Sequence, residues 1–429
     1  MLTITRRSVA DRWFLPIIAG FAILIPLVVS TTGKDSFRLP KEIMFRAEVI
    51  VLIGLCTIFA YLRQLHFSLN RSEVAPILAL SVVSWGAVAT LYSTNIRLSL
   101  GALSWLIGWT IIFIVTMAVS HRRTNIFLVY ACLIPAVLNS IVVLFQETST
   151  WNPFFSTQLT EHVFHSGMIG NPNDVGTFLV GPIIASFALV VAEPRHRLLH
   201  CATTSVLLVA AGANHTLTAL IAISIGVICL IFVLARKWTL LAVASVAAVV
   251  LLTVRFYPPL YHRYQLTKTW ASSGLYDSIL SGRILPFFTS SRMFLDHPLT
   301  GVGPGCFKWQ YFPYKMRIIS EFGPSITRSN AASINFGEVH NDHLQILAES
   351  GFPGYLLFIG ALAYIASGSF TSFDSSRPES VFSRVASFPL AVGFAVVALG
   401  QFPLELAAPT AANVYLFALC ASWRSAEPS

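Results

Sequence analysis

The stretch EVHNDHLQILAESG, residues 338–351, places two histidines, an aspartate and two glutamates directly before an apolar run. A histidine titrates near pH 6.5, so His340 is able to take a proton from a hydroxyl group at neutral pH. If residues 340–350 are helical, as the pattern indicates, His340 and His343 share one face of that helix. A solvated helix whose histidines have no chemical role fits the composition equally well.

A metal site is another possibility for this stretch, because His340 and His343 are three residues apart. No third or fourth ligand follows at a suggestive spacing. The nineteen Asp and Glu residues of the chain are scattered and form no DxD pattern. We therefore expect chemistry that uses neither a metal nor another cofactor.

Basic residues precede this stretch, and arginine has the planar fork that best fits phosphate oxygens. Segment 255–350 holds nine Lys and Arg residues, which invites an anionic partner, although lipid headgroups would account for at least half of them. Arg283 and Arg292 lie nine positions apart on a predicted helix at 283–296, so they project in opposite directions. The following GVGPG at 301–305 lacks the full spacing of a phosphate loop and predicts a turn.

The elements that must position these groups are predicted to be membrane helices. Of 429 residues, 55% are hydrophobic and 11% are charged, whereas soluble domains carry roughly a quarter charged residues. A helix that crosses a bilayer needs about 20 mostly apolar residues. Such runs predict an all-α polytopic membrane protein of about twelve spans; they are 13–30, 44–62, 74–92, 100–119, 126–146, 175–192, 198–213, 216–235, 238–256, 351–369, 385–404 and 408–423.

Basic residues in the short loops predict the orientation of these spans. With a cytoplasmic N-terminus, the inside segments hold fourteen Lys and Arg residues and the short outside loops hold five. We expect both termini in the cytoplasm, nine spans in 1–256, a periplasmic loop with short helices and the active site at 257–350, and three spans in 351–429. The formal charge of +9 partly follows this bias and does not argue for nucleic acid. Asn173 or Asp174 is the expected N-cap of the sixth span.

The pattern HN-x9-G-x-x-G, read here as His340, Asn341, Gly351 and Gly354, resembles the signature of the bacterial O-antigen ligases. These enzymes share a superfamily with O-antigen polymerases and protein O-oligosaccharyltransferases. The resemblance is specific over 283–354 and looser over the rest of the chain. The other similar stretches are DSFRLPKE (35–42), GNPND (170–174) and DHPLTGVGPGCF (296–307).

The resemblance implies a GT-C-like helical fold in the bacterial inner membrane and a metal-independent glycosyltransferase. Such an enzyme transfers a glycan from undecaprenyl diphosphate to a sugar hydroxyl of lipid A–core at the periplasmic face, without a nucleotide sugar. The resemblance further implies that His340 is the base and that Arg283 binds the diphosphate. Attack opposite the diphosphate would invert the anomeric centre. The remaining candidate substrate-binding residues are Asn341, His343, Arg292, His215, His165, Asn171, Lys41 and Arg38.

The sequence departs from the family pattern at two expected diphosphate contacts. Many relatives carry an arginine shortly before the GNPN-like turn, where this chain has His162 and His165. Many also carry an arginine at the start of the following span, where His215 stands here. At least one expected diphosphate contact is therefore missing or replaced by histidine, and His165 and His215 are the candidates for such a replacement.

Two other functions remain open from the sequence. An O-antigen polymerase would use a second lipid-linked glycan as acceptor and shares the topology and the leaving group. A transporter or flippase with twelve spans would place its polar residues within the spans. Here the ionisable cluster lies in the long loop instead, and this placement favours glycosyl transfer between membrane lipids.

Overall fold

The computed structural model describes residues 2–4, 7–30, 35–62, 65–67, 74–120, 125–148, 165–256, 258–322, 335–371 and 377–424. These segments are almost entirely helical, apart from two short antiparallel strands, β1 (Leu2–Ile4) and β2 (Leu65–Phe67). The helices of the first nine predicted spans are α1 (Arg7–Leu27), α2 (Arg38–Tyr61), α3 (Val74–Leu91), α4 (Ile96–Val119), α5 (Asn125–Glu147), α6 (Pro172–Ala192), α7 (Arg197–Asn214), α8 (Leu217–Ala235) and α9 (Thr239–Phe256). Those that follow are α10 (Pro258–Ser272), α11 (Tyr276–Ile279), α12 (Ile284–Asp296), α13 (Phe307–Phe322), α14 (Asp342–Ser367), α15 (Pro378–Val397) and α16 (Ala407–Arg424).

Each of the twelve predicted apolar runs coincides with one of these helices. Among the described residues, eight helices are long and apolar enough to cross a membrane. They lie at Arg38–Tyr61, Val74–Leu91, Ile96–Val119, Ile126–Glu147, Pro172–Ala192, Leu217–Leu241, Asp342–Phe370 and Pro378–Val397, with shorter apolar helices at Trp13–Leu27 and Ala407–Ser422. A polytopic helical protein is therefore confirmed, while the count of twelve, the GT-C-like fold and the three-part domain division stay predictions.

The core of the bundle forms around α6, which is buried along most of its length. It packs against α5, α7, α8, α15 and α16. Small residues allow this close approach, as they do in membrane helices generally. Ile184 of α6 fills the space opposite two glycines, because a Cβ on Gly226 or Gly393 would lie 2.5 Å or 2.6 Å from its Cδ1 atom.

The described part of the long loop contains helices and turns, so the prediction of short helices there is confirmed. Helix α12 begins at Ile284, one residue after the predicted start. The GVGPG segment is a turn, as predicted, with positive φ at its glycines. The predicted N-cap of the sixth span is wrong by two or three residues: α6 begins at Pro172, and the Asn171 side chain accepts a hydrogen bond from the Asn173 amide at 2.8 Å. Proline at the first helical position favours this earlier start.

Candidate active site

The turn that joins α15 to α16 holds the start of α14 in place. The Ala398 carbonyl accepts a hydrogen bond from the Asp342 amide at 2.9 Å. The Asp342 carboxylate accepts one from the Leu404 amide at 3.0 Å. Gln345, one turn further along α14, donates to the Glu405 carboxylate at 3.1 Å. The first turn of α14 is therefore fixed at three points on residues that are distant from it in sequence.

His340 lies just outside α14, in a left-handed backbone conformation with φ 59°. The helix begins at Asp342, because the Asn341 side chain caps it by accepting a hydrogen bond from the Leu344 amide at 3.0 Å. The prediction that His340 and His343 share a helix face is therefore wrong.

The His340 ring stands edge-on to two aromatic rings. Its centroid is 4.6 Å from that of Phe402 and 5.9 Å from that of Phe336. Its Nδ1 atom is buried, and it has no hydrogen-bond partner within the described part of the chain. Burial and the positive charge of Arg283 lower the pKa of His340 to about 4. The ring is therefore neutral at pH 7 and able to accept a proton.

Arg283 immediately precedes α12, and its guanidinium reaches the same turn between α15 and α16. Its Nη1 atom donates to the Gly400 carbonyl at 2.6 Å. Burial lowers the pKa of Arg283, although a guanidinium remains charged in proteins. Among the described residues no carboxylate pairs with it, so its other N–H groups are available to an anion. His340 and Arg283 thus meet as a neutral base beside a fixed cation.

Arg38 contacts the segment before His340, and protein groups already engage its guanidinium. Its Nη1 atom pairs with Glu338 at 3.2 Å, two residues before His340. Its Nη2 atom donates to the Glu405 carbonyl, and its Nε atom pairs with Glu42, both at 3.2 Å. This arrangement favours a role in holding the backbone around His340 rather than direct substrate contact.

Lys41, one turn further along α2, is buried and also fully engaged. Its ammonium donates to the carbonyls of Val28, Phe37 and Met168 at 2.7, 3.1 and 2.8 Å. An ammonium has three donors, so none remains for a substrate in this arrangement. Lys41 ties the end of α1 to the segment before α6.

The histidines that replace the expected arginines lie next to each other. His165 and His215 both have left-handed backbones, and their ring centroids are 5.6 Å apart. His165 pairs with Glu147. The Asn214 side chain donates to the carbonyls of His165 and Pro172, both at 2.9 Å, which fixes this corner. Within the described residues no hydrogen bond or ring contact joins the two histidines to His340, and His162 lies outside those residues.

His343 and Arg292, both predicted to bind substrate, have protein partners. His343 lies within hydrogen-bond distance of the Ala395 carbonyl through Nε2 (2.9 Å) and of the Tyr355 hydroxyl through Nδ1 (3.2 Å). Both of its ring nitrogens are therefore engaged. Arg292 lies 3.7 Å from Asp296 and from Glu321, in an ion-pair cluster between α12 and α13.

Gly351 and Gly354 allow α14 to approach its neighbours closely. Gly351 interrupts the helix with φ 66° and ψ −174°. A Cβ at this position would lie 2.1 Å from the carbonyl oxygen of Leu299, which no side chain permits. A Cβ on Gly354 would lie 2.6 Å from Cβ of Ser350 and 3.1 Å from the Trp85 ring. The glycine spacing of the motif therefore has a packing reason.

Glu349 connects this helix to α13. Its carboxylate accepts hydrogen bonds from the amides of Gly305 and Phe307 at 2.8 and 2.9 Å, at the N-terminus of α13. A carboxylate is favoured there by the unpaired amides and by the helix dipole. Sequence reasoning assigned no role to Glu349, although an acidic residue two positions before a motif glycine was a usable signal.

The sequence also gave no indication of the other residues that shape the site. Gly400 and Phe402 carry no titratable group, and nothing in their local pattern suggests contact with Arg283 and His340. Glu338 was visible in the charged stretch, but its pairing partner lies 300 positions away. Among the described residues, no group of three or more His, Cys, Asp or Glu side chains is placed to hold a metal ion.

The fold and the site together define a polytopic helical membrane protein with a neutral base and an open guanidinium at one end of its helices. Residues 201–359, which include both groups, match a family model described as O-antigen ligase. This match confirms the resemblance found in the motifs of that stretch. Members of this family are glycosyltransferase-like enzymes of lipopolysaccharide biosynthesis that use lipid-linked glycans. No curated protein matches the chain.

Proposed function

We propose that the protein is an O-antigen ligase, which transfers a glycan from undecaprenyl diphosphate to a sugar hydroxyl of lipid A–core. The observation that carries the proposal is the His340 ring, which is neutral, has an unpartnered nitrogen and stands beside Arg283. Both residues lie within the stretch that matches the family model. A base next to an available cation is what attack by a hydroxyl group on a glycosyl diphosphate requires.

His340 acts as the general base in the proposed reaction. It takes the proton of the acceptor hydroxyl while that oxygen forms a bond to the anomeric carbon of the donor. The bond between this carbon and the diphosphate oxygen breaks, and the electron pair leaves with undecaprenyl diphosphate. The acceptor attacks opposite the leaving group, so the anomeric centre inverts. Removal of the proton by a positioned base is typically worth about 10²–10⁴ in rate.

Arg283 stabilises the leaving diphosphate in this scheme, and no metal is required. One of its N–H groups is engaged with the Gly400 carbonyl, which orients the guanidinium. An anionic diphosphate beside it would offset the positive charge that depresses the pKa of His340. Donor binding thus raises the pKa of the base toward the reacting range, which couples proton abstraction to the presence of the donor.

The proposed site faces the periplasm, with both termini in the cytoplasm and the protein in the inner membrane. The charge bias of the short loops supports this orientation. A second argument is that the predicted outside segments contact one another at one end of the helices. These contacts involve Arg38, Lys41, Arg283 and His340. Two lipid-borne substrates are able to meet at such a surface.

The test is a reconstitution of the purified full chain with undecaprenyl-diphosphate-linked glycan, in chelator, with lipid A–core either present or absent. The variant is His340→Asn, because asparagine tolerates a left-handed backbone and lacks the basicity of histidine. His262→Asn, at an exposed histidine of α10, is the matched control. We expect glycan on lipid A–core with the wild type and the control, and a loss of about 10²–10⁴ with His340→Asn.

Other products would change the assignment. Longer lipid-linked glycan in the absence of lipid A–core would make the protein an O-antigen polymerase. Transfer that survives His340→Asn at the wild-type rate would remove His340 as the base. Absence of any product from folded protein with verified donor would refute glycosyl transfer.

A further inference from the structure

A cavity of about 590 Å³ opens between α2, α3, α4, α14 and α16, outside the site formed by His340 and Arg283. This volume lies within the range of about 300–1,000 Å³ that is usual for ligand sites. Most of its lining is aromatic and aliphatic and includes Trp109, Phe113, Phe358 and Phe417. Such walls suit hydrocarbon chains.

Part of the cavity lining is cationic. Three basic residues line the cavity with exposed side chains, namely Arg46, Arg97 and Lys308. None of them forms a hydrogen bond or an ion pair with any residue in the described segments. The three carboxylates that line the cavity are all engaged: Glu42 with Arg38, Glu349 with backbone amides at the start of α13, and Glu405 with the Gln345 side chain. Within the described residues, the unpaired charge of the lining is therefore positive.

Arg46 extends this charge toward the interior of the membrane region. It lies on α2 eight residues beyond Arg38, about 12 Å along the helix axis. Both residues belong to a helix that is long and apolar enough to cross a membrane. A charged side chain within a span is costly unless it has a partner, and basic pockets between membrane helices bind anionic lipid headgroups.

The turn between α15 and α16 relates the cavity to the proposed reaction site. The cavity meets this turn at Leu404 and Glu405, whereas Arg283 meets it at Gly400. His340 contacts Phe402, between those two points along the chain. Arg283, His340 and the cavity therefore all contact the same turn.

We propose that the cavity binds the acceptor lipid, with acyl chain along its apolar walls and phosphates of a sugar headgroup at Arg46, Arg97 and Lys308. This inference rests on the proposed function for one step only, the assignment of Arg283 to the leaving diphosphate. The attacking hydroxyl must then arrive from the opposite side of the anomeric carbon. The cavity is a lipid-sized opening that reaches the same turn as Arg283 and His340 and is lined by neither of them.

The test measures binding of three lipids to the purified full chain in detergent, by native mass spectrometry with titration. The lipids are lipid A (an acylated glucosamine disaccharide with two phosphates), undecaprenyl phosphate and phosphatidylglycerol. We expect lipid A to bind the wild type, and Arg46→Gln or Arg97→Gln to weaken it about tenfold through loss of a charge-assisted hydrogen bond. Arg195→Gln, in the exposed turn between α6 and α7, is the control and should leave the affinity unchanged.

A second variant tests the apolar part of the cavity without removing any charge. Gly101 lines the cavity, and a Cβ added there meets nothing within 4 Å, so Gly101→Phe fills the space while keeping α4 folded. Gly54→Phe is the matched control, because Gly54 is equally open, is exposed on α2 and does not line the cavity. We expect Gly101→Phe to weaken lipid A at least tenfold and Gly54→Phe to have no effect.

Two results would overturn the inference. If Arg97→Gln and Gly101→Phe weaken undecaprenyl phosphate and leave lipid A unchanged, the cavity belongs to the donor. If all three lipids bind alike and no variant matters, the cavity is an ordinary contact with membrane lipid. The binding assay contains no glycan donor, so its result does not depend on glycosyl transfer. Failure of glycosyl transfer is thereby distinguished from failure of this lipid site.

Discussion

Replacement of Gly351 by alanine provides a strong test of how α14 packs against the turn before α13. Gly351 has φ 66° and ψ −174°, a conformation that is essentially confined to glycine. An alanine Cβ would lie 2.1 Å from the carbonyl oxygen of Leu299 and 2.8 Å from that of Pro298. Both contacts are with backbone, so no side-chain rotation relieves them.

The expected cost has two parts. Holding a residue other than glycine in this conformation costs about 1–3 kcal/mol. Relief of the clash must separate the two backbones and stretch the 2.8 Å hydrogen bond from the Phe352 amide to the Pro298 carbonyl, at about 1 kcal/mol more. We expect Gly351→Ala to lower the free energy of unfolding by about 2–4 kcal/mol.

The measurement is thermal unfolding of the purified protein in one detergent, compared across three glycines of the same helix. Gly360→Ala is the control, because a Cβ there meets nothing within 4 Å and alanine is the better helix former by about 1 kcal/mol. Gly354→Ala should fall between the two, since its new contacts are with side chains. A Gly351→Ala protein as stable as Gly360→Ala would refute the close backbone approach.

Three further predictions concern charged groups. The value of kcat/KM should fall as pH drops through the His340 pKa of about 4, because the protonated ring is unable to accept a proton. Arg283→Gln removes a positive charge near the ring, so this acidic limb of the pH profile should move to higher pH. A pH profile that Arg283→Gln leaves unchanged would contradict the electrostatic contact. Lys41→Met should lower the free energy of unfolding by about 3 kcal/mol or more, since three backbone carbonyls lose the hydrogen bond from the ammonium. The folded fraction should bind undecaprenyl phosphate as before. If the variant has normal stability and reduced affinity for undecaprenyl phosphate, Lys41 contacts the substrate. Glu349→Gln should lower the apparent Tm, because an amide is able to accept only one of the two backbone hydrogen bonds through its oxygen.

The helices were predictable because their signal is local. An apolar run long enough to cross a bilayer is visible in any window of about 20 residues, and each of the twelve predicted runs is helical here. The start of α14 was also within reach of the sequence. Asn341 directly before an apolar helix is a usual N-cap, and that reading would have placed His340 outside the helix from the beginning.

The contacts of the site were not predictable because their partners are distant in sequence. Arg38 pairs with a residue 300 positions away, and Arg283 with a carbonyl 117 positions away. No periodic pattern in the sequence predicts such distant pairs. Sequence reasoning therefore identified basic residues as anion ligands without knowing which of them the protein already engages. Lys41 and Arg38 prove to be engaged by protein groups, whereas Arg283 keeps N–H groups available.

The backbone at His340 gives an independent reason to regard its side chain as functional. Of the four described residues other than glycine with positive φ, three are the histidines His165, His215 and His340. Glycine or asparagine would adopt a left-handed backbone at lower cost, so packing alone does not call for histidine at position 340. Backbone strain of this kind persists where the surrounding structure imposes it, and it clusters at functional sites. The buried Nδ1 atom has no hydrogen-bond partner among the described residues, and this points the same way, because a purely structural histidine would normally have that hydrogen bond satisfied. The left-handed backbone and the Nδ1 atom without a described partner both cost stability, and both occur at His340. His340 is the residue to which the proposed reaction assigns the proton.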